Sequence, residues 1–195
     1  MSLGRIVLAS RSQRRRMLLE EAGFTVDINV PPIDDNDAYV QQQSPQHLVI
    51  SLAWFKASQI TCDLEGAVAL VAADTICDLD GEVIGKPKSQ DDAGEMLARM
   101  FGRAHITRTG VCVLSKHGRM LFEDATVVRM GVPNEAQVSE YLLSGSWEGK
   151  AGGYNLSERI DAGWPIEFEG DPTTVMGLPM QRLCPLLMEL ANQDG

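Results

Sequence analysis

The sequence predicts an α/β protein: a mixed, twisted sheet with helices on both faces. Three observations carry that prediction. Short apolar runs alternate with stretches whose apolar residues recur every three or four positions, so strands and helices alternate along the chain. Two hairpin signals, Asp80-Gly81 and Lys116-His117-Gly118, join β-rich segments and so exclude a purely parallel doubly wound sheet. At 195 residues, 44% hydrophobic and 23% charged, the chain can bury a real core.

Arg5–Ala9 reads as a buried strand. Ser12 can cap a helix that turns Met17, Leu18 and Ala22 inward and stops at Gly23. Phe24–Val30 alternates like a strand, and the polar stretch Pro31 to Gln43 reads as a loop. Ser44-Pro45 is a cap followed by proline at the first helical position, with Leu48, Leu52 and Phe55 as the apolar stripe behind it. Ala67–Ala73 is a continuous apolar run, predicting a central strand with Asp74 at its carboxyl end. Ile76–Leu79 and Glu82–Ile84 flank the first hairpin turn. Ser89 caps a helix carrying Met96, Leu97 and Met100 inward, closed by Gly102. His105–Leu114 and Met120–Met130 form the second hairpin, and helices at Asn134–Ser144 and Pro179–Ala191 bracket a glycine-rich stretch.

Composition narrows the function classes. A formal charge of −10 disfavours binding to duplex nucleic acid or anionic membranes. Yet Arg5, Arg11, Arg14, Arg15 and Arg16 put five of the 17 basic residues in the first sixteen positions, which suits a small anion. Cys62, Cys77, Cys112 and Cys184 are far apart, without metal-finger spacing, and read as reduced thiols. With no long apolar run and no signal-peptide pattern, the expected location is the cytoplasm, with no membrane partner.

The strongest local feature is Leu8-Ala9-Ser10-Arg11-Ser12-Gln13-Arg14-Arg15, a strand feeding through a small-residue turn into a helix start. Backbone N–H groups, hydroxyls and guanidinium groups converge there on a phosphate site. Arginines oppose the dipole at a helix N-terminus, so a purely structural first turn would rarely hold three. Asp34-Asp35 in the loop, Lys56 on a helix, Asp74 and Lys86 are weak signals singly. Two carboxylates could hold a hard divalent ion that bridges phosphates, with lysines offsetting the remaining charge. Lys150-Ala151-Gly152-Gly153-Tyr154 is a close-approach loop or simply a tight turn. His105, on an alternating strand, reads as a hydrogen-bonded structural histidine rather than a base.

Taken in order, these segments resemble the Maf family of nucleoside triphosphate pyrophosphatases, from Ile6 to about Leu187. The resemblance rests on the Leu8–Arg15 signature with Leu18-Leu19, Lys56-Ala57, Ala73-Asp74-Thr75, and Asp80-Gly81 with Gly85-Lys86-Pro87. Gly102, His105 and Thr109-Gly110, then Gly149–Tyr154, then Val175-Met176-Gly177-Leu178-Pro179 complete it. It implies one Maf-like domain over residues 1–195, as two lobes around a central cleft, in a homodimer with a divalent cation (Mg²⁺ or Mn²⁺). By family position Asp74 is the proton acceptor; Asp35 and Asp74 hold the metal. Ser10, Arg14, Arg15, Lys56 and Lys86 bind the triphosphate, and Arg14, Thr75 and Ser157 set base choice. The expected reaction cleaves dTTP or UTP, or modified nucleotides, between the α and β phosphates, giving monophosphate and pyrophosphate. Gln13 stands where the family has proline, and Ser157 where its dTTP/UTP branch has glutamine. The rivals are a branch acting on 7-methyl-GTP and a nucleotide-binding regulator of cell division without turnover.

Overall fold

The computed structural model describes residues 2–32, 44–61 and 64–193. Its elements in chain order are β1 (Arg5–Leu8), α1 (Gln13–Glu21), β2 (Thr25–Ile28), α2 (Pro45–Ser58), β3 (Ala69–Leu79) and β4 (Glu82–Ile84). There follow α3 (Gln90–Met100), β5 (Arg103–Ser115), β6 (Gly118–Met130) and α4 (Glu135–Leu143). A 3-10 turn (Ala151–Gly153), α5 (Leu156–Asp161), β7 (Ile166–Glu169), α6 (Pro172–Met176) and α7 (Met180–Gln193) complete the chain.

Among the described residues the strands form one seven-stranded sheet in the order β2-β1-β3-β5-β6-β7, with β4 also paired to β3. β2, β1 and β3 run parallel, whereas β3, β5, β6 and β7 are successively antiparallel. The predicted mixed α/β class is what the chain adopts. Both hairpins form where the turn residues place them, between β3 and β4 and between β5 and β6.

The predicted strand end at Asp74 is corrected: β3 runs on through Thr75, Ile76 and Cys77 to Leu79. β5 pairs with it continuously from Leu70 to Asp78, so the ladder has no reason to stop at one carboxylate. What changes at Asp74 is the other edge. There β3 pairs with β1 over Ala69–Val71 and with β4 over Cys77–Leu79. The stretch from Ala72 to Ile76 lies between those two ladders, and it carries Asp74.

Alternation along β3 assigns the two faces. Leu70, Ala72 and Ile76 pack on α2, whose Leu48, Val49, Leu52, Ala53 and Ala57 are buried. Ala69, Val71 and Ala73 pack on the opposite face with Leu18 and Leu19 of α1 and Leu183 and Leu187 of α7. Further along that second face, Cys77 and Leu79 join Leu97, Met100, Tyr141 and Trp164 in a separate cluster under α3 and α4. Between the two clusters the strands carry hydroxyls. Thr75 pairs with Thr109, and Thr107 with Thr126, making a threonine belt across β3, β5 and β6. Thr109 donates to Thr174 O at 2.7 Å and Thr126 to Asp171 O at 2.6 Å, so the belt seats α6.

Smaller departures have local causes. Met17 is 53% exposed, and Leu19 takes the inward position beside Leu18. The glycine-rich stretch is not irregular but contains α5, β7 and α6. Asn155 caps α5 and Asp171 caps α6, each accepting from a backbone N–H of the first turn. Cys77, Cys112 and Cys184 are free thiols, and Cys62 lies outside the described residues, as do Asp34 and Asp35. No helix among the described residues is long and apolar enough to cross a membrane.

Candidate active site

A cavity of about 570 Å³ opens where β3 passes between its two ladders. That volume lies within the range of ligand pockets for small molecules. One wall is the β1–α1 turn from Ala9 to Arg15; Lys56, Asp74, Thr75 and Lys86 surround it. The facing wall is built by Glu148–Ala151, Tyr154 and Glu158, with Val175, Met176 and Gly177. The sequence-predicted residues Ser10, Arg14, Arg15, Lys56, Asp74, Thr75 and Lys86 therefore meet in one place.

Asp74 and Lys56 form the centre. Lys56 Nζ donates to Asp74 Oδ1, and both side chains are mostly buried, at 15% and 11% exposed. Their meeting depends on a close helix-on-sheet contact. Gly110 of β5 lies directly opposite Asp74, and a Cβ there would come within 2.2 Å of Val49 O on α2. Only glycine lets α2 lie this close, and α2 is the element that delivers Lys56.

The arginine turn divides its labour. Ser12 accepts from Arg15 N at 3.4 Å as the α1 cap, and its own N–H donates to Ser10 Oγ at 3.2 Å. Arg15 donates through Nε to Gly177 O at 2.9 Å, through Nη1 to Ser10 Oγ at 3.2 Å and through Nη2 to Thr75 Oγ1 at 3.1 Å. Because the Thr109 hydroxyl donates to Thr174 O, the 2.9 Å Thr75–Thr109 contact must run from Thr75 to Thr109. Arg15, Thr75, Thr109 and the Thr174 carbonyl thus form a directed chain that ties α1 to α6. Gly177 is held to glycine on two counts, a φ of +107° and a Cβ position 2.9 Å from Arg15 Nε.

Arg14 and Arg15 should therefore respond differently to truncation. Arg14→Ala should weaken triphosphate binding by roughly 1.5–3 kcal/mol, the loss of a charged hydrogen bond. It should leave stability unchanged or slightly higher, since the side chain opposes the α1 dipole. Arg15→Ala should lower the thermal midpoint as well, because Gly177 O and two hydroxyls lose a donor. Binding isotherms and melts on both variants check this; an Arg15→Ala protein as stable as the parent would remove the tie.

On the facing wall, the 3-10 turn is pinned by Gly152 N donating to Gly85 O at 2.9 Å, which holds the strand of chain leading to Lys86. Tyr154 is buried there, its hydroxyl 2.7 Å from His105 Nε2 and its ring edge-on to the imidazole. His105 is structural, as its strand position suggested. Burial pulls its pKa down from 6.5 to about 4. A neutral imidazole in the fold and a protonated one in the unfolded chain make stability fall with acidity. The contribution is complete above about pH 6.5 and is lost progressively down to about pH 4. From pH 7.5 to 5 the loss should be about 2 kcal/mol. Urea unfolding of wild type and His105→Asn at both pH values checks it; equal losses would acquit His105.

Ser157, a specificity position by resemblance, is exposed and donates to Asn155 Oδ1 at 3.0 Å; the α5 residue lining the cavity is its neighbour Glu158. Sequence reasoning overlooked Glu158, Glu148 and Thr107, all cavity-lining. The Asn155-x-x-Glu158 spacing is a helix-start signal that could have flagged Glu158. For a metal, Asp74 supplies a hard oxygen donor, which fits an ion held by one or two carboxylates and by substrate phosphates. Among the described residues no cluster of three potential metal ligands occurs.

An α/β sheet with a carboxylate–lysine pair in a cavity rimmed by arginines, lysines and helix-start amides defines a phosphate-ester or phosphoanhydride site. The Maf-like protein family matches residues 5–190, and the chain belongs to that family. Its relatives include a protein of Nitratidesulfovibrio vulgaris, 36% identical over 94% of this chain and 86% of its own length. Others are from Symbiobacterium thermophilum, 36% identical over 94% and 93%, and Rhodopirellula baltica, 34% identical over 93% and 80%. All three carry the name dTTP/UTP pyrophosphatase.

Proposed function

We propose that this chain hydrolyses nucleoside triphosphates between the α and β phosphates, with dTTP and UTP preferred. The observation that carries the reading is the Asp74–Lys56 pair on the stretch of β3 between its two edge ladders, inside a cavity ringed by Arg11, Arg14 and Lys86. The water oxygen bonds to the α phosphorus as the bond from that phosphorus to the bridging oxygen breaks; pyrophosphate leaves with the bridging oxygen, and Asp74, the carboxylate at the centre, accepts the water's proton. Ser10, Arg14, Arg15, Lys56, Lys86 and the α1 amides hold the phosphate oxygens, and Lys56 also fixes the carboxylate's orientation. Phosphoryl chemistry of this kind is mostly positioning and charge neutralisation. Asp74, with Asp35 by family position, would hold a divalent cation; bound there it would offset phosphate charge. A homodimer and a cytoplasmic location belong to the same reading.

The test is a panel of canonical and modified triphosphates with Mg²⁺ or Mn²⁺, with pyrophosphate and orthophosphate assayed separately. Equimolar monophosphate and pyrophosphate, fastest from dTTP and UTP, is expected. Orthophosphate alone would make the protein a phosphatase, and fastest cleavage of 7-methyl-GTP would move the substrate class. Binding without either product would leave a nucleotide-binding regulator.

A further inference from the structure

We infer that Glu158, held by Lys150 and Asn155, reads an N–H on the substrate's base. This rests on the proposed triphosphate reaction. Glu158 lies on the wall facing the β1–α1 turn, away from the residues that hold the phosphates, and a carboxylate there accepts hydrogen bonds from donors on the rest of the ligand. In a nucleotide bound by its phosphates at Arg14, Lys86 and Asp74, the donors are the sugar hydroxyls and the base N–H, and the Lys150 donor beside Glu158 matches the base, where an N–H adjoins a carbonyl oxygen.

Glu158 is built for that task. Its Oε2 accepts from Lys150 Nζ at 2.6 Å and its Oε1 from Asn155 Nδ2 at 2.8 Å, so the group is fixed in direction. The Lys150 side chain is 15% exposed and that of Glu158 44%, and both residues line the cavity. A carboxylate has about four lone-pair sites and an ammonium three donors, so each keeps capacity after binding the other. Together they present an acceptor beside a donor. The imide edge of uracil or thymine is the complement, with N3–H beside a carbonyl oxygen. A cap for α5 needs only Asn155; it does not need a lysine eight residues upstream of Glu158. A base methylated at that nitrogen loses the donor and sets a methyl group against the carboxylate, and a site built to bond an N–H discriminates against the analogue lacking it.

The experiment compares UTP with N3-methyl-UTP, which lacks the donor, using wild type, Glu158→Ala and the isosteric Glu158→Met. Wild type should favour UTP by about 10–100-fold in kcat/KM, carried by KM. Both variants should bring the two substrates to within about threefold, by losing on UTP while the methylated substrate is little changed. Glu148→Gln, on the same wall, should keep the wild-type preference. Should the alanine protein fail to fold, the methionine protein gives the same readout. Variants that discriminate as wild type does overturn the inference, as does a wild type indifferent to N3 methylation. Absence of pyrophosphate from both substrates with wild type would instead strike the proposed reaction.

Discussion

Asp74→Asn should lower turnover by at least about 10²-fold, the lower end for losing a positioned acid or base. The substitution keeps the side chain's shape and removes its charge, so the effect isolates the carboxylate. Lys56 keeps an amide oxygen to bond but, mostly buried, loses the opposing charge, which should cost about 1–3 kcal/mol of stability. Pyrophosphate release under saturating substrate, alongside a thermal melt, measures both quantities. An asparagine variant turning over near the wild-type rate would take Asp74 out of the mechanism.

Gly110→Ala should damage both fold and activity although it touches no ligand. One methyl group placed 2.2 Å from Val49 O and 2.7 Å from Ile50 N forces α2 off the sheet. Overpacking of this kind costs about 3 kcal/mol. A lifted α2 also withdraws Lys56 from Asp74, so turnover per folded molecule should fall at least tenfold, about 1.4 kcal/mol in barrier. Denaturant unfolding fixes the folded fraction, and the rate is then normalised to it. An alanine variant with parental stability and rate would mean that α2 has slack the packing does not show.

These two residues mark what was legible in the chain and what was not. The strand–turn–helix from Leu8 to Arg15, both hairpins and the helix caps are local chemistry, written in neighbouring residues. The positions of Lys56, Asp74 and Lys86 were likewise visible, although only their order along the chain made them a set. Asp74 as the end of a strand was a misreading of a tertiary fact: the gap lies in the pairing of β3's edge, and no local signal encodes a neighbour's absence. Arg15 lines the cavity, but its bonds to Gly177 O, Ser10 and Thr75 were not legible, because a guanidinium's protein partners are set by distant segments. The glycine-rich stretch hid α5 and α6, whose caps, Asn155 and Asp171, were readable but short of the helix length that draws notice. Glu158 went unremarked beside Ser157 because facing a cavity is decided by where α5 docks.

The threonine belt has a cost and a use. A strand face in a chain of this size gains most by carrying valine or isoleucine; at Thr75, Thr107, Thr109 and Thr126 that gain is forgone. Had those four positions been aliphatic, one continuous core would have spread along the sheet and sealed it, leaving no interior place for a highly charged ligand. The hydroxyls of Thr75 and Thr107 line the cavity, and those of Thr109 and Thr126 bond the backbone that seats α6, while all four remain small enough to pack. The molecule thus behaves as two greasy ends on a shared plank, and the plank's polar midspan is where a guest of opposite character can sit.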